Sequence, residues 1–284
     1  MMGRCDCHMH MVLDGYDWRA AIARHSQRPD DSFIHRILAQ YQADGYTYLR
    51  DGGDRWGAGS RARELAADYG IRYRTPLANL CHIGHYGAFI GEKYENLREY
   101  ADLVRKHRSD GADFIKVMIS GLMDFDRFGR LSEEGLPAQE IRELVRIAHE
   151  EGFAIMAHAN GPRTMEAAAA AGMDSIEHGA YADADALCAM AESGTVWVPT
   201  VSTVINLKGK GRFDEAAVTA IAAHTCENLR QFAAMGGLIA CGSDAGAWAV
   251  PHGCNTEEGH LRAILGPEAD AILTQGNQTI MEKF

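Results

Sequence analysis

Short apolar runs with strand character alternate with amphipathic helical segments along this chain of 284 residues, at intervals of roughly 25–40 residues. Eight such units predict an α/β fold, a (β/α)8 TIM barrel, which we assign to one domain over residues 1–284. A doubly wound open sheet would instead need a glycine-rich phosphate loop after the first strand, where this sequence has histidines. The eight runs are Gly3–His10, Tyr46–Asp51, Arg72–Leu80, Asp113–Ser120, Phe153–His158, Asp174–His178, Thr195–Thr200 and Leu238–Asp244.

The segments between these runs have the periodicity of helices with one apolar face. In Pro137–Glu151, four apolar residues recur at i, i+3, i+4 and i+7, and Pro137 suits a first helical turn. Leu97, Tyr100 and Val104 form the same kind of stripe in the preceding helix. The other predicted helices are Asp31–Asp44, Ser60–Tyr69, Arg163–Ala171, Asp183–Glu192 and Asp214–Met235.

Composition excludes several classes of protein. A hydrophobic content of 46% and a charged content of 24% are ordinary for a globular protein. The net charge of −11 argues against a nucleic acid or an anionic membrane as partner. No apolar run approaches the roughly 18 residues of a membrane span, and the N-terminus has no apolar signal core, so we expect a cytoplasmic protein. Its seven cysteines include no CxxC pair and are expected to be reduced thiols.

Polar side chains stand at the carboxyl ends of five predicted strands, the end at which such barrels form their active sites. In the first strand, alternation predicts that Asp6, His8 and His10 share one face, while Cys5 and Cys7 face the helical layer. The candidates, in chain order, are His8, His10, Lys116, His158, His178 and Asp244.

Each candidate alone has an ordinary structural explanation, such as a satisfied histidine, a snorkelling lysine or an N-cap aspartate. Four histidines, a lysine and an aspartate at one rim favour a common site instead. Burial beside other cations should lower the pKa of Lys116, which stands in the apolar run of the fourth strand. A neutral amine can add carbon dioxide to give a carbamate, and its two oxygens could bridge two metal ions.

Seven motifs in this order resemble the amidohydrolase superfamily, with the imidazolonepropionase-like and prolidase-type enzymes as the most similar members. The resemblance extends from Asp6 to about Glu258. The motifs are Asp6-x-His8-x-His10, Arg50-Asp51-Gly52-Gly53, Ile115-Lys116-Val117-Met118-Ile119-Ser120-Gly121, His158-Ala159-Asn160-Gly161, Ser175-Ile176-Glu177-His178-Gly179, Gly242-Ser243-Asp244-Ala245-Gly246 and Pro251-His252-Gly253-Cys254-Asn255.

The resemblance implies a site with two divalent metal ions. His8, His10 and Asp244 would bind the more buried ion, His158 and His178 the second, and a carbamylated Lys116 would bridge them, with zinc as the expected metal. A metal-bridging hydroxide would attack an amide carbonyl, and Asp244 would carry the proton to the leaving nitrogen. The implied function is hydrolysis of a C–N bond in a small molecule such as an N-acyl amino acid, a dipeptide or a cyclic amide.

Four further residues are candidates for contact with the substrate. His85, in a Gly-His pair after the third strand, is expected to donate a hydrogen bond to the substrate or its tetrahedral intermediate, although a surface loop histidine is the alternative. Arg163 could meet a carboxylate, Tyr181 could donate a hydrogen bond to one, and His252 lies in the last motif.

Two features depart from relatives, which usually carry an accessory β-sandwich domain. The first motif begins at Asp6, so we expect a barrel that lacks this domain and forms a homo-oligomer through the apolar face left exposed. The shortened end, Leu261–Phe284, puts the final helix in doubt. Lactone or phosphotriester hydrolysis is the alternative function. Nucleobase deamination and a catalytically inactive binding protein are weaker alternatives.

Overall fold

The computed structural model describes residues 3–284 as parallel strands that alternate with helices. The strands are β1 (Arg4–Met9), β2 (Tyr46–Asp51), β3 (Arg72–Arg74), β4 (Leu80–His82), β5 (Glu92–Tyr94), β6 (Ile115–Met118), β7 (Ile155–Ala159), β8 (Ser175–His178) and β9 (Val196–Val198). The helices are α1 (Trp18–His25), α2 (Asp31–Ala43), α3 (Ala58–Ala66), α4 (Leu97–Ser109), α5 (Ala138–Glu150), α6 (Pro162–Ala170), α7 (Ala184–Ser193), α8 (Ser202–Ile205), α9 (Glu215–Ala234), α10 (Glu257–Leu265) and α11 (Ala269–Lys283), with 3-10 turns at Ala67–Tyr69 and Gly266–Glu268.

The strands form two parallel sheets, one in the order β1-β2-β3 and one in the order β5-β4-β6-β7-β8-β9. Segment 238–245 lies between β9 and β1, because Trp197 N–H donates to Leu238 O at 2.8 Å and Cys7 N–H donates to Cys241 O at 2.8 Å. The two sheets also follow each other along the chain, since β3 belongs to the first sheet and β4, the next strand, belongs to the second. The predicted α/β fold with parallel strands is confirmed, although its strands divide between two sheets instead of forming one continuous ring.

Two of the eight predicted strands differ from regular strands. The third run divides into β3 and β4 around Pro76, which has no N–H to donate to a neighbouring strand, and Leu77, whose φ of 68° is left-handed. The eighth run, Leu238–Asp244, hydrogen-bonds to Trp197, Cys7 and His8 without the pairing of a regular strand, and it ends at the left-handed Asp244.

The helices follow the predicted apolar stripes closely. In α5 the buried residues include Ile141, Leu144, Val145 and Ala148, the four positions of the stripe. The doubt about the C-terminal helix was wrong, because α10 and α11 extend from Glu257 to Lys283 apart from one 3-10 turn. Of the helices within residues 3–284, none has both the length and the apolar composition needed to cross a membrane.

The strand alternation predicted for β1 was wrong, because its pairing with β2 shifts register between Asp6 and Met9. Asp6 therefore lies on the side of α2, where the Tyr41 hydroxyl and Ser243 donate to its carboxylate at 3.5 and 2.6 Å. Cys5 and Cys7 point the other way, into a buried cluster. That cluster also contains Tyr48, Phe114, Met156, Val196, Val198, Ala240, Ile280 and Phe284.

Because Phe114 and Met156 stand two positions before Lys116 and His158 on β6 and β7, this cluster lies inside the barrel, beneath the candidate site. Its two contributors from the C-terminal part, Ile280 and Phe284, show that the end of α11 closes this layer from the amino side of the strands. Below the polar residues at the carboxyl end, the inner layer therefore combines this mostly apolar cluster with the buried guanidinium of Arg50, which lies 4.4 Å from the Phe284 ring.

Candidate active site

Three of the predicted metal ligands lie together at the carboxyl end of β1 and beside segment 238–245. His8 Nε2 and His10 Nε2 are 3.3 Å apart, and they lie 3.6 and 3.3 Å from Asp244 Oδ1. The backbone holds Asp244 in place, since its N–H donates to His8 O at 2.7 Å. Two imidazole nitrogens and a carboxylate oxygen at these separations can converge on one cation.

The other two histidines continue this cluster on neighbouring strands. The ring of His178 lies 4.7 Å from that of His158 and 5.2 Å from that of His8, measured between centroids. His158 Nε2 lies 3.1 Å from Gly121 O, and His178 Nδ1 lies 2.8 Å from the Thr200 hydroxyl. In each ring the second nitrogen therefore remains for a ligand.

The side chain of His178 points to the site even though Glu177, the residue before it on β8, also points to the inner side of the strands, towards His8. Simple alternation would send His178 to the helical side, but its φ of 67° turns the side chain back. Thr200 and Asp244 have φ values of 48° and 57°, and such left-handed backbone costs about 1–3 kcal/mol per residue. Strain of this kind is concentrated at functional sites.

Lys116 lies among these groups on β6 and is 2% exposed. Its Nζ has no hydrogen-bond partner within residues 3–284, which is a costly state for a buried amine. Burial lowers the pKa of Lys116 to about 8, while the charges of Glu177 and Asp244 oppose this shift. A lysine with this pKa is neutral in about a tenth of molecules at pH 7 and in about half at pH 8, far more than a lysine with the usual pKa of 10.5.

Burial also keeps three of the histidines, His8, His158 and His178, neutral. It lowers the pKa of His158 to about 3, with the charge of Lys116 acting in the same direction. The pKa values of His8 and His178 likewise lie well below the usual value, chiefly because of burial. Neutral imidazole is the form that binds a metal, so the donor set fits divalent cations.

A buried ion pair supports His8 from below. Glu177 Oε2 lies 2.8 Å from His8 Nδ1, although the ring N–H is not aligned for a hydrogen bond. Arg50 contacts the other oxygen of Glu177 at 2.9 Å and donates to Cys7 O and to the Ser175 hydroxyl. A carboxylate behind a metal-binding histidine fixes the orientation of its ring. The sequence signal for Glu177 was a charged residue inside an otherwise buried strand.

The residues predicted to contact substrate lie in different environments. His85 Nδ1 is buried without a hydrogen bond, 3.6 Å from Glu133 Oε1, and the Tyr181 hydroxyl is also buried without a partner within residues 3–284. Arg163 is exposed at the start of α6. His252 lies 3.3 Å from the Tyr41 hydroxyl and 3.1 Å from Leu13 O, so both of its ring nitrogens have contacts inside the protein.

Six of the thirteen buried side-chain atoms without a hydrogen-bond partner within residues 3–284 belong to predicted site residues. Buried polar atoms normally have partners, so Lys116 Nζ and Asp244 Oδ1, which lie beside the histidines, indicate a place that binds a ligand. The six residues are His8, His10, His85, Lys116, Tyr181 and Asp244.

Sequence reasoning missed Tyr86, the neighbour of His85. Its ring centroid lies 4.8 Å from that of His158 and 5.8 Å from that of Phe89. Burial, reinforced by the charge of Asp244, raises the pKa of Tyr86, so the phenol keeps its proton. An aromatic residue after a Gly-His pair was the only available signal.

Several known proteins are similar to this chain in sequence and fold. The chain is 27% identical to ochratoxinase from Aspergillus niger over 333 aligned positions, which cover 98% of this chain and 66% of that protein. The crystal structure of the ochratoxinase superimposes with a TM-score of 0.79 at 23% identity, covering 98% of this chain and 71% of that one.

Two peptidase structures are also similar. A Xaa-Pro dipeptidase with bound methionine in its active site gives a TM-score of 0.77 at 22% identity, covering 99% of this chain and 75% of that one. A prolidase complexed with N-methylphosphonate-L-proline gives 0.74 at 25% identity, covering 100% of this chain and 72% of that one. The model of the Amidohydrolase family matches residues 43–266. This chain spans just under two thirds of the length of the ochratoxinase that it matches, and it belongs to the amidohydrolase family.

Proposed function

We propose that this protein hydrolyses the amide bond of a small N-acyl amino acid, dipeptide or cyclic amide at a site for two divalent metal ions. The observation that carries the proposal is Lys116, whose buried Nζ lies among four histidines and Asp244 without a hydrogen-bond partner within residues 3–284. A lysine kept only to stabilise the fold would have a partner in this position.

The similar proteins support this substrate class. The names Xaa-Pro dipeptidase and prolidase describe cleavage of a bond to the nitrogen of an amino acid, and both proteins share the fold of this chain. The substrate of this chain nevertheless has to be proposed from its own residues, because the sequence identities are low.

The residues divide between two metal positions. In the proposed arrangement, His8, His10 and Asp244 would hold one ion, His158 and His178 would hold the other, and Lys116, once carbamylated, would supply a ligand to both. Zinc suits imidazole and carboxylate ligands. When bound, the ions would lower the pKa of water and polarise the amide carbonyl.

Asp244 acts as the proton carrier in this proposal. Burial alone would raise its pKa, but His8 and His10 lower it, so the carboxylate stays ionised and can accept a proton from the attacking water. As the new C–O bond forms and the C–N bond breaks, Asp244 delivers that proton to the leaving nitrogen. The products are a carboxylic acid and an amine.

The substrate contacts are proposed from unpartnered or rim groups. His85 and Tyr181 each present a buried polar atom that can donate a hydrogen bond to substrate. Arg163 at the exposed rim supplies a positive charge for a substrate carboxylate. We assign His252 an indirect role, because its ring nitrogens already contact Tyr41 and Leu13.

The first test measures metal per chain by elemental analysis, in the wild type and in Lys116→Ala, with zinc and bicarbonate supplied during growth. We expect two equivalents in the wild type and a sharp loss in the variant, because the bridging ligand is gone. One equivalent or none in a folded wild type would contradict the bridged site.

The second test is a substrate panel of N-acyl amino acids, Xaa-Pro dipeptides, cyclic amides, lactones and phosphotriesters. We expect turnover of members of the amide group, and expect it to be lost in Lys116→Ala. Turnover confined to lactones or phosphotriesters would replace the proposed substrate class while leaving the metal site in place.

A further inference from the structure

The loop after β4 is held in a fixed position over the site. Gly87 has a φ of 104°, and a Cβ placed there would lie 2.5 Å from Met118 Cγ, so only glycine allows this close approach to β6. The Asn79 side chain donates to Gly87 O at 3.3 Å. Because Met118 follows Lys116 by two residues on β6 and pairs with His158, the loop is fixed beside two of the proposed metal ligands.

Glu133 fixes the residue before Gly87 as well. Its Oε1 accepts a hydrogen bond from the Tyr86 N–H at 2.6 Å and lies 3.6 Å from His85 Nδ1. The ring of His85 lies 5.3 Å from that of His82, towards the end of β4. The two neighbours therefore diverge: His85 has contacts with Glu133 and His82, whereas Tyr86 packs on His158.

The backbone and the ring of Tyr86 are held in place by these contacts, but its hydroxyl is not. The hydrogen bonds of Tyr86 to other groups in residues 3–284 involve its backbone, not its phenol. Its ring is tilted by 47° against that of His158, and the residue is half-buried, so the phenol borders the site without being sealed off. A phenol O–H is a hydrogen-bond donor at neutral pH.

We propose that Tyr86 is a catalytic residue whose phenol O–H donates a hydrogen bond to the carbonyl oxygen of the scissile bond. This inference rests on the proposed hydrolytic function, but it requires only a carbonyl substrate, not an amide in particular. Negative charge builds up on that oxygen as water adds to the carbon, and a fixed donor stabilises it more in the transition state than in the ground state. The phenol keeps its proton throughout.

The test compares Tyr86→Phe with the wild type. This substitution keeps the ring against His158 and removes only the hydroxyl. We expect kcat to fall by about 10²-fold, the loss typical for removing one oxyanion donor, on the amide that the panel identifies and on 4-nitrophenyl acetate. Metal content by elemental analysis should be unchanged, because no ligand is altered.

A binding measurement gives a readout that does not depend on turnover. By calorimetry, N-methylphosphonyl-L-proline, which carries tetrahedral phosphonate oxygens, should bind Tyr86→Phe about tenfold more weakly, since a hydrogen bond to a charged group is lost. The matched control is Tyr94→Phe. Tyr94 lies on β5 beside the same loop, but its hydroxyl donates to Glu140 at 3.3 Å, and its loss should leave kcat unchanged.

Each outcome decides between defined alternatives. If Tyr86→Phe retains wild-type kcat while Tyr86→Ala loses it, the ring is only a wall of the pocket and the proposal is wrong. If no amide is cleaved but hydrolysis of 4-nitrophenyl acetate falls in Tyr86→Phe, the amide substrate is wrong and the role of Tyr86 stands. If metal content falls in Tyr86→Phe, the residue is structural and the proposal fails.

Discussion

The two ends of the barrel treat buried polar groups in opposite ways. At the carboxyl end, Lys116 Nζ and Asp244 Oδ1 are buried and have no hydrogen bond to any group in the described residues 3–284, and His178 and Asp244 have left-handed backbone. Towards the amino end, Arg50 makes three hydrogen bonds at 2.6–2.9 Å, and the ring of Phe284 lies 4.4 Å from its guanidinium. The site thus leaves several of its polar groups without partners, whereas the Arg50 guanidinium beneath it is fully paired.

The contrast shows how one fold can hold a reactive site. Groups that lack partners are unfavourable for folding but available to metals and substrates, and the satisfied layer beneath them holds the strands in place. Substitutions at the two ends should therefore have opposite effects on stability.

The largest effect is expected at the amino end. Arg50→Met leaves the Glu177 carboxylate buried without its cation, so the free energy of unfolding should fall by about 3–5 kcal/mol, measured by urea denaturation. The double variant Arg50→Met/Glu177→Met removes both charges and should recover most of that loss. A single variant as stable as the wild type would remove the contrast between the two ends.

A pH effect tests the carboxyl end. Below its usual pKa near 6.5, His158 is protonated in the unfolded chain but stays neutral in the fold down to about pH 3. The unfolded state then binds more protons, so acid destabilises the metal-free protein, by roughly 3 kcal/mol at pH 4 from this residue alone.

Asp6 and Asp51, whose pKa values burial raises to about 6, act in the opposite direction, so the effect of His158 is isolated by comparison with a variant. After metal removal, His158→Gln should lose less stability between pH 7 and pH 4 than the wild type. Equal losses would mean that His158 is accessible to protons in the fold.

Lys116→Met should stabilise the metal-free protein. Folding lowers the pKa of Lys116 from its usual 10.5 to about 8, so at pH 7 its ammonium is held in an unfavourable place. The gain in unfolding free energy should be about 2–3 kcal/mol. This gain should shrink as pH rises from 8 to 10.5. In that range the unfolded wild type binds more protons than the folded wild type, so raising the pH stabilises the wild type. A destabilised variant would show that Lys116 packs as a structural residue.

The smallest effect tests close packing at a ligand. A Cβ at Gly52 would lie 2.1 Å from His10 Cε1, so Gly52→Ala must displace that ring. We expect a loss of about 1–3 kcal/mol in stability and weaker metal binding in an equilibrium competition with a chelator. Gly259→Ala in α10, where nothing lies within 4 Å of the added carbon, should be neutral or stabilising. Unchanged metal binding in Gly52→Ala would mean that His10 adapts freely.

Much of the fold could be predicted from the alternation of strands and helices, and the location of the site could be predicted from the residues at the carboxyl ends of the strands. The carboxyl ends of parallel strands meet at one rim, so His8, Lys116 and His158 needed only the correct strand assignment. Alternation within a strand was less reliable. The register shift in β1 moved Asp6 to the side of α2, and left-handed backbone brought His178 back to the site. Neither local event has a sequence signal as strong as the strands themselves.

The remaining features depend on contacts between distant segments. Tyr86 faces the site because Glu133, 47 residues away, binds its N–H and because Gly87 lies against Met118. The helix α11 reaches the inner layer through Phe284, which no periodicity in the terminal segment indicated. Such placements are decided by tertiary packing, which overrides local pattern.

Glycines beside the proposed metal ligands also limit how this site can be redesigned, because no side chain fits at their positions. A Cβ at Gly242 would lie 2.4 Å from Val198 Cγ1 and 2.8 Å from His8 N, and one at Gly179 would lie 2.5 Å from Trp197 Nε1. Random libraries that include these two positions would mostly yield misassembled barrels. Diversity directed to the rim loops, with the glycines kept, would explore new substrates at a much higher yield of folded enzymes.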